Sequence, residues 1–262
     1  MRLDRESLRK RFNKALNHAR ENILKKDPNV LGIIVNGSVA RGDQGPYSDI
    51  DIIALTKPKS KLKKFFYFDD KIQVDIWFMA IDKYSTPKGL DVQYDRSAKS
   101  NLILFDKNGN VKRILDKIRT IHASSEDIQS MLEHSCRNLL EYAGKVRNGK
   151  IANDTRLIRY AAYMIAEASQ NPIIIANNMR IVSENILWDQ LSAAKKKPIH
   201  FAIDYPICFA LVGTTDTAKV YTSSLRLASE SLMFIEKELK KNIKAQNIKS
   251  MLTYKSKSDI LD

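Results

Sequence analysis

The stretch Asn36-Gly-Ser-Val-Ala-Arg-Gly-Asp-Gln-Gly-Pro-Tyr-Ser-Asp-Ile-Asp-Ile52 decides how this chain folds. Before it, the apolar run Val30–Val35 ends at Gly37 and predicts a buried strand. Within it, Arg41–Ser48 is rich in turn residues, and Asp49–Leu55 predicts a second strand. Strand side chains alternate between faces, so Asp49 and Asp51 share one face while Ile50 and Ile52 enter the core. Two carboxylates about 5 Å apart repel by about 1 kcal/mol in water, and by several times that at an effective dielectric near 20. A strand keeps such a pair only against a compensating charge. Mg²⁺ is a natural one, because it takes oxygen ligands and commonly uses one or two carboxylates plus substrate phosphates.

Working outward, Phe65–Phe68 and Ile72–Met79 predict a hairpin around Asp69-Asp70-Lys71. Asp75 is the one acid in the apolar strand Ile72-Gln-Val-Asp-Ile-Trp77, where propensity and burial both disfavour it. It is explained if it faces the same site as Asp49 and Asp51. Three carboxylates suit two metal ions, one activating an attacking oxygen and one holding phosphates. Gly37 allows close backbone approach to a phosphate, Ser38 can donate a hydrogen bond to it, and Arg41 can neutralise its charge.

The remaining periodicity gives the frame. Leu8, Phe12, Leu16, Ala19 and Ile23 predict an amphipathic helix over 5–26, and Leu102–Phe105 a further strand before the turn Asp106–Gly109 and a helix Val111–Thr120. From about residue 121 the pattern is helical: Ser125 to Asn148, then Asp154 to Asn171 where Pro172 breaks in, then Ser183–Ala194, Pro206–Leu211 and Thr215–Lys244, with a polar tail Lys244–Asp262. The expectation is an α+β protein: an N-terminal domain (1–120) with a mixed β-sheet flanked by helices, then a C-terminal α-helical bundle (121–262).

Hydrophobic residues make up 44% of the 262, enough for real cores. No apolar run reaches the roughly 18–20 residues of a membrane span, and the charged N-terminus does not read as a signal peptide. Cys136 and Cys208 stand far apart, which argues against a disulfide framework and for a cytoplasmic setting. The net charge of +14 favours anionic partners such as nucleotides or nucleic acid. His122, His134 and His200 show no metal spacing, and Trp77 and Trp188 read as core or interface residues.

Gly-Ser, then Asp-x-Asp, then a third acid on a later strand resembles the DNA polymerase β-type nucleotidyltransferase superfamily. Gly37-Ser38, Gly45-Pro-Tyr-Ser-Asp-Ile50 and Asp75 resemble one branch of it, the kanamycin nucleotidyltransferases, which transfer a nucleoside monophosphate from an NTP to an antibiotic hydroxyl. Leu140-Glu-Tyr-Ala-Gly-Lys145, followed by Arg147-Asn148, is also similar to that family. The spacing of Arg137, Glu141 and Lys145 alone reads as a surface ladder of ion pairs. The resemblance implies instead that Glu141 is the base taking the acceptor proton and that Lys145 binds phosphate. It further implies nucleotide-binding roles for Gly37, Ser38, Arg41 and Ser48, two Mg²⁺ ions on Asp49, Asp51 and Asp75, an NTP co-substrate with ATP as the expected donor, and a homodimer with shared active sites.

One departure limits the resemblance. Aminoglycosides are polycations, and the kanamycin enzymes meet them with an acidic loop after the Asp-x-Asp strand and an acid one turn before the base. Here the loop is Thr56-Lys-Pro-Lys-Ser-Lys-Leu-Lys-Lys64, and Arg137 precedes Glu141 by one turn. Like charges beside a bound ammonium are unfavourable. The expected acceptor is therefore a neutral or anionic hydroxyl compound, with kanamycin a poor substrate. The Lys57–Lys64 run reads equally as a guarded hairpin edge. Two rival functions are nucleotide addition to RNA or a protein side chain, favoured by charge but by no RNA-binding motif, and a non-catalytic nucleotide-binding protein, disfavoured by the intact set of three acids.

Overall fold

Alternating apolar residues in the first half of the chain build a five-stranded mixed sheet with helices on both faces. The computed structural model describes residues 5–58, 62, 64–87, 101–213 and 216–239. The chain divides into two units, Met1–His122 and Ala123–Asp262.

In the first unit, α1 (Arg5–Lys26) precedes β1 (Gly32–Asn36), α2 (Gly37–Arg41), β2 (Ile50–Thr56), β3 (Phe65–Asp69), β4 (Ile72–Ala80), α3 (Ile81–Tyr84), β5 (Leu102–Asp106) and α4 (Asn110–Ile118). The strand order is β3-β4-β2-β1-β5. Only β2 and β4 run parallel; the other neighbours are antiparallel. Phe12, Leu16, Ala19 and Ile23 of α1 are buried with Ile33, Val35, Ile50, Ile52, Val74 and Ile76 of the sheet. On the opposite face Ile34 and Leu55 pack with Tyr84, Val111, Leu115 and Ile118. Asp70 and Lys71 have φ of 45° and 63°, both left-handed, as a tight two-residue hairpin turn requires.

Between β1 and the turn-rich segment Arg41–Ser48 the chain coils into the short helix α2, which Gly42 ends in the left-handed region at φ 78°.

The second unit is helical: α5 (Ser125–Ile151), α6 (Thr155–Ala176), α7 (Leu187–Ser192), α8 (Phe201–Cys208) and α9 (Thr217–Leu239). Ser124, one residue before the expected cap, starts α5; its hydroxyl accepts the Asp127 N–H at 3.0 Å. Asp154 caps α6 as expected, accepting from the Arg156 and Leu157 N–H groups at 3.0 and 3.2 Å. Pro172 does not end α6. Burial of Pro172, Ile173 and Ile174 carries the helix on to Ala176, although proline has no N–H to offer the preceding turn. The expected Ser183–Ala194 helix splits into a short 3₁₀ turn, Glu184–Ile186, and α7. The helix expected from Pro206 begins instead at Phe201, where Phe201 and Tyr205, one turn apart, are both buried. Asp204, fully buried, is held by Arg226 of α9 through Nε at 2.7 Å and Nη2 at 2.6 Å. The polar tail Lys244–Asp262 lies outside the described residues.

Candidate active site

The acid site forms at one end of the sheet, on the face whose other end is covered by α3 and α4. Asp51 follows buried Ile50 on β2, and alternation turns its carboxylate away from the α1 side. The parallel register places Asp51 beside Asp75 of β4, and the antiparallel register places Asn36 of β1 opposite Asp51. Asp49 lies just before β2. One carboxylate oxygen from each of Asp49, Asp51 and Asp75 lies within 4.8 Å of the others. Asp49 is exposed, Asp51 half-buried and Asp75 buried.

Burial and like charge act together on Asp51. Burial pushes the Asp51 carboxyl above the usual carboxylate range, the Asp49 and Asp75 charges push it further, and the Lys64 ammonium partly offsets them. Asp75 Oδ2 accepts from Gln73 Nε2 at 2.6 Å, and Asp75 Oδ1 pairs with Lys64 Nζ at 3.4 Å. The same ammonium lies 4.3 Å from the centroid of the Trp77 ring. Asn36 Oδ1 is buried without a hydrogen-bond partner. An all-oxygen set of three carboxylates, strained by its own charge and bordered by an unsatisfied amide oxygen, fits a hard divalent cation such as Mg²⁺.

Gly37 is fitted to this cluster. Its φ of 70° is left-handed, and a Cβ there would sit 2.9 Å from Asp51 Oδ2. Ser38 follows in α2, and its carbonyl accepts the Gly42 N–H at 2.9 Å. Arg41 Nε donates to Asp43 Oδ2 at 3.1 Å. The Ser48 hydroxyl accepts the Gly45 N–H at 3.0 Å, closing the turn that delivers Asp49. Gln73, Lys64, Trp77 and Asn36 were not singled out by sequence reasoning as parts of an acid site. The signal was available for Gln73 and Trp77, which lie two residues either side of Asp75 on one strand face.

Residues 16–119 match the family described as Nucleotidyltransferase domain. The matched segment runs from the middle of α1 to the end of α4 and contains the whole sheet and all three acids. The chain is similar to a solved structure, the nucleotidyltransferase-like protein from Exiguobacterium sibiricum 255-15. The two are 14% identical, with 85% of this chain and 77% of that chain covered and a TM-score of 0.47. No curated protein sequence matches this chain.

Glu141 and Lys145 belong to the second unit, on α5, outside the matched residues 16–119. Lys145 Nζ donates to Glu141 Oε1 at 2.7 Å and lies 4.5 Å from the Tyr142 ring centroid. The hydrogen bond to Glu141 raises the Lys145 pKa. Arg137, one turn earlier, is exposed on the same helix. Among the described residues no helix is long and apolar enough to cross a membrane.

Proposed function

We propose that this protein is a metal-dependent enzyme that transfers a nucleoside monophosphate from an NTP to an acceptor hydroxyl, releasing pyrophosphate. The observation that carries the reading is the convergence of Asp49, Asp51 and Asp75 within 4.8 Å in a domain that matches nucleotidyltransferases. The three aspartates would hold the metal, which when bound supplies charge neutralisation for the phosphates and the attacking oxygen. Gly37 lets the backbone and the Ser38 hydroxyl approach the triphosphate. Arg41 and Lys145 supply charge-assisted donors to it. Ser48 serves the nucleotide by fixing the turn before Asp49. Glu141 accepts the proton of the acceptor hydroxyl, which attacks the α-phosphorus in line while pyrophosphate departs. A homodimer with shared sites completes the reading, supported by the resemblance to the kanamycin enzymes.

The acceptor proposed is neutral or anionic. Exposed Arg137 on the helix of Glu141, and Lys64 beside Asp75, both disfavour a polycation. The test is a pyrophosphate-release screen with Mg²⁺ and each of four NTPs against aminoglycosides, neutral sugars, nucleotides and tRNA. Release is expected with a neutral or anionic acceptor and is lost in Asp51→Ala. Glu141→Gln should lower kcat by about 10²–10⁴-fold, and Lys145→Met should mainly raise KM for the NTP. Robust transfer to kanamycin at micromolar concentration would overturn the acceptor assignment. The net charge of +14 favours a second reading, nucleotide addition to RNA. A tRNA complex whose affinity falls steeply with salt, together with labelling of the RNA, would select it.

A further inference from the structure

The lysine that reaches the acid site changes its charge balance. Lys64 immediately precedes β3, whose Phe66 lies opposite Asp75 in the antiparallel register, so Lys64 falls two residues away on the same face. Its ammonium has two partners there, Asp75 Oδ1 at 3.4 Å and the face of Trp77 at 4.3 Å. The other Asp75 oxygen is taken by Gln73 at 2.6 Å. Both oxygens of the third carboxylate are therefore engaged by groups of this chain, whereas no comparable hydrogen bond or ion pair holds the carboxylates of Asp49 and Asp51 among the described residues.

We propose that Lys64 is a resident cation of the acid site, standing where a second divalent ion would otherwise bind, so that one ion is held, by Asp49 and Asp51. The proposal rests on reading the cluster as a nucleotidyltransferase metal site and revises the expectation of two ions held by all three aspartates. The charge count supports it. Three carboxylates against one ammonium leave two net negative charges, which a single divalent ion neutralises. A second ion would leave the cluster with two net positive charges before any phosphate arrived, against one if the ammonium were absent. The Trp77 ring gives the ammonium a fixed seat, because the negative face of an indole attracts a cation while keeping water from one side of it. Asp75 in this arrangement is a positioning residue for Lys64, and its carboxylate still contributes to the field that draws the divalent ion in.

The test is Mn²⁺ binding to the full-length protein without nucleotide, following free Mn²⁺ by electron paramagnetic resonance. Wild type is expected to bind one ion per chain and Lys64→Met two, with Lys64→Arg remaining at one because the charge is kept. Lys64→Gln repeats the measurement if the methionine variant does not fold, as judged by circular dichroism. Two ions in wild type, or one in both neutral variants, would overturn the proposal and leave the metal-site reading standing. No binding by wild type or by either neutral variant would overturn both.

Discussion

At the residue scale Gly37 is constrained twice, by its backbone and by its neighbour. An alanine there must adopt a left-handed φ, which costs about 1–2 kcal/mol, and must also push Asp51 Oδ2 from its 2.9 Å approach. Gly37→Ala is expected to lower Tm by a few degrees and to weaken Mn²⁺ binding, checked by calorimetry and by metal titration. Asp51 makes the opposite point about stability. Its folded pKa lies above its unfolded value of 3.8, so its stabilising contribution is present below that value and is lost as pH rises through the folded pKa. At neutral pH the ionised carboxylate weakens the metal-free fold. Asp51→Asn should therefore melt above wild type in the presence of a chelator, while Mg²⁺ should raise the Tm of wild type and hardly move the variant. Asp49, Asp51 and Asp75 were legible in the sequence, because strand alternation alone puts two of them on one face and an acid in an apolar strand demands a partner. Lys64 was not, because its place depends on the hairpin register, which fixes the neighbour of Asp75 only once the turn at Asp70 and Lys71 is known.

At the scale of elements, periodicity gave α1, the strands and the long helices of the second unit, since each buries a stripe or a face over many residues. What it missed were boundaries set by single contacts. Ser124 and Ser125 are equivalent caps in sequence, and the extended backbone of Ser124, with its hydroxyl on the Asp127 N–H, decides between them. Pro172 looks like a stop, yet the apolar residues after it gain more from burial than the one missing hydrogen bond costs. Asp154 is the cap whose removal is easiest to read. It accepts two backbone N–H bonds, so Asp154→Ala should cost about 1 kcal/mol, seen as a lower urea midpoint with an unchanged slope. The edge strand β3 presents Phe66 and Phe68, 61% and 65% exposed and packed edge to face. The lysines leading into it fit the guarding of such an edge as well as they fit the site. Residues 59–61 and 63 of that run lie outside the described residues.

For the whole molecule, alkali is the informative perturbation. Burial pushes the Cys136 thiol up to about 12 from 9.0, and burial also raises Cys208 and Tyr205. Each is an acid with a raised folded pKa, so the stability it contributes is intact below its unfolded value and falls as pH climbs toward the folded one. Loss of stability is expected to begin near pH 9, where the unfolded thiols start to ionise, and urea titrations at pH 7, 9 and 10.5 would reveal it. At pH 8 a thiol reagent should label neither cysteine quickly in native protein and both in urea, because both are buried.

The pairing of Lys64 with Trp77 also has an optical consequence. The chain has two tryptophans, Trp77 in the first unit beneath an ammonium and Trp188 in the second, stacked 5.3 Å from Tyr205. A Trp188→Phe protein has a single indole emitter, seated on the cation that guards Asp75. Its emission becomes a direct gauge of whether that cation stays in place as metal, nucleotide and acceptor are added in turn.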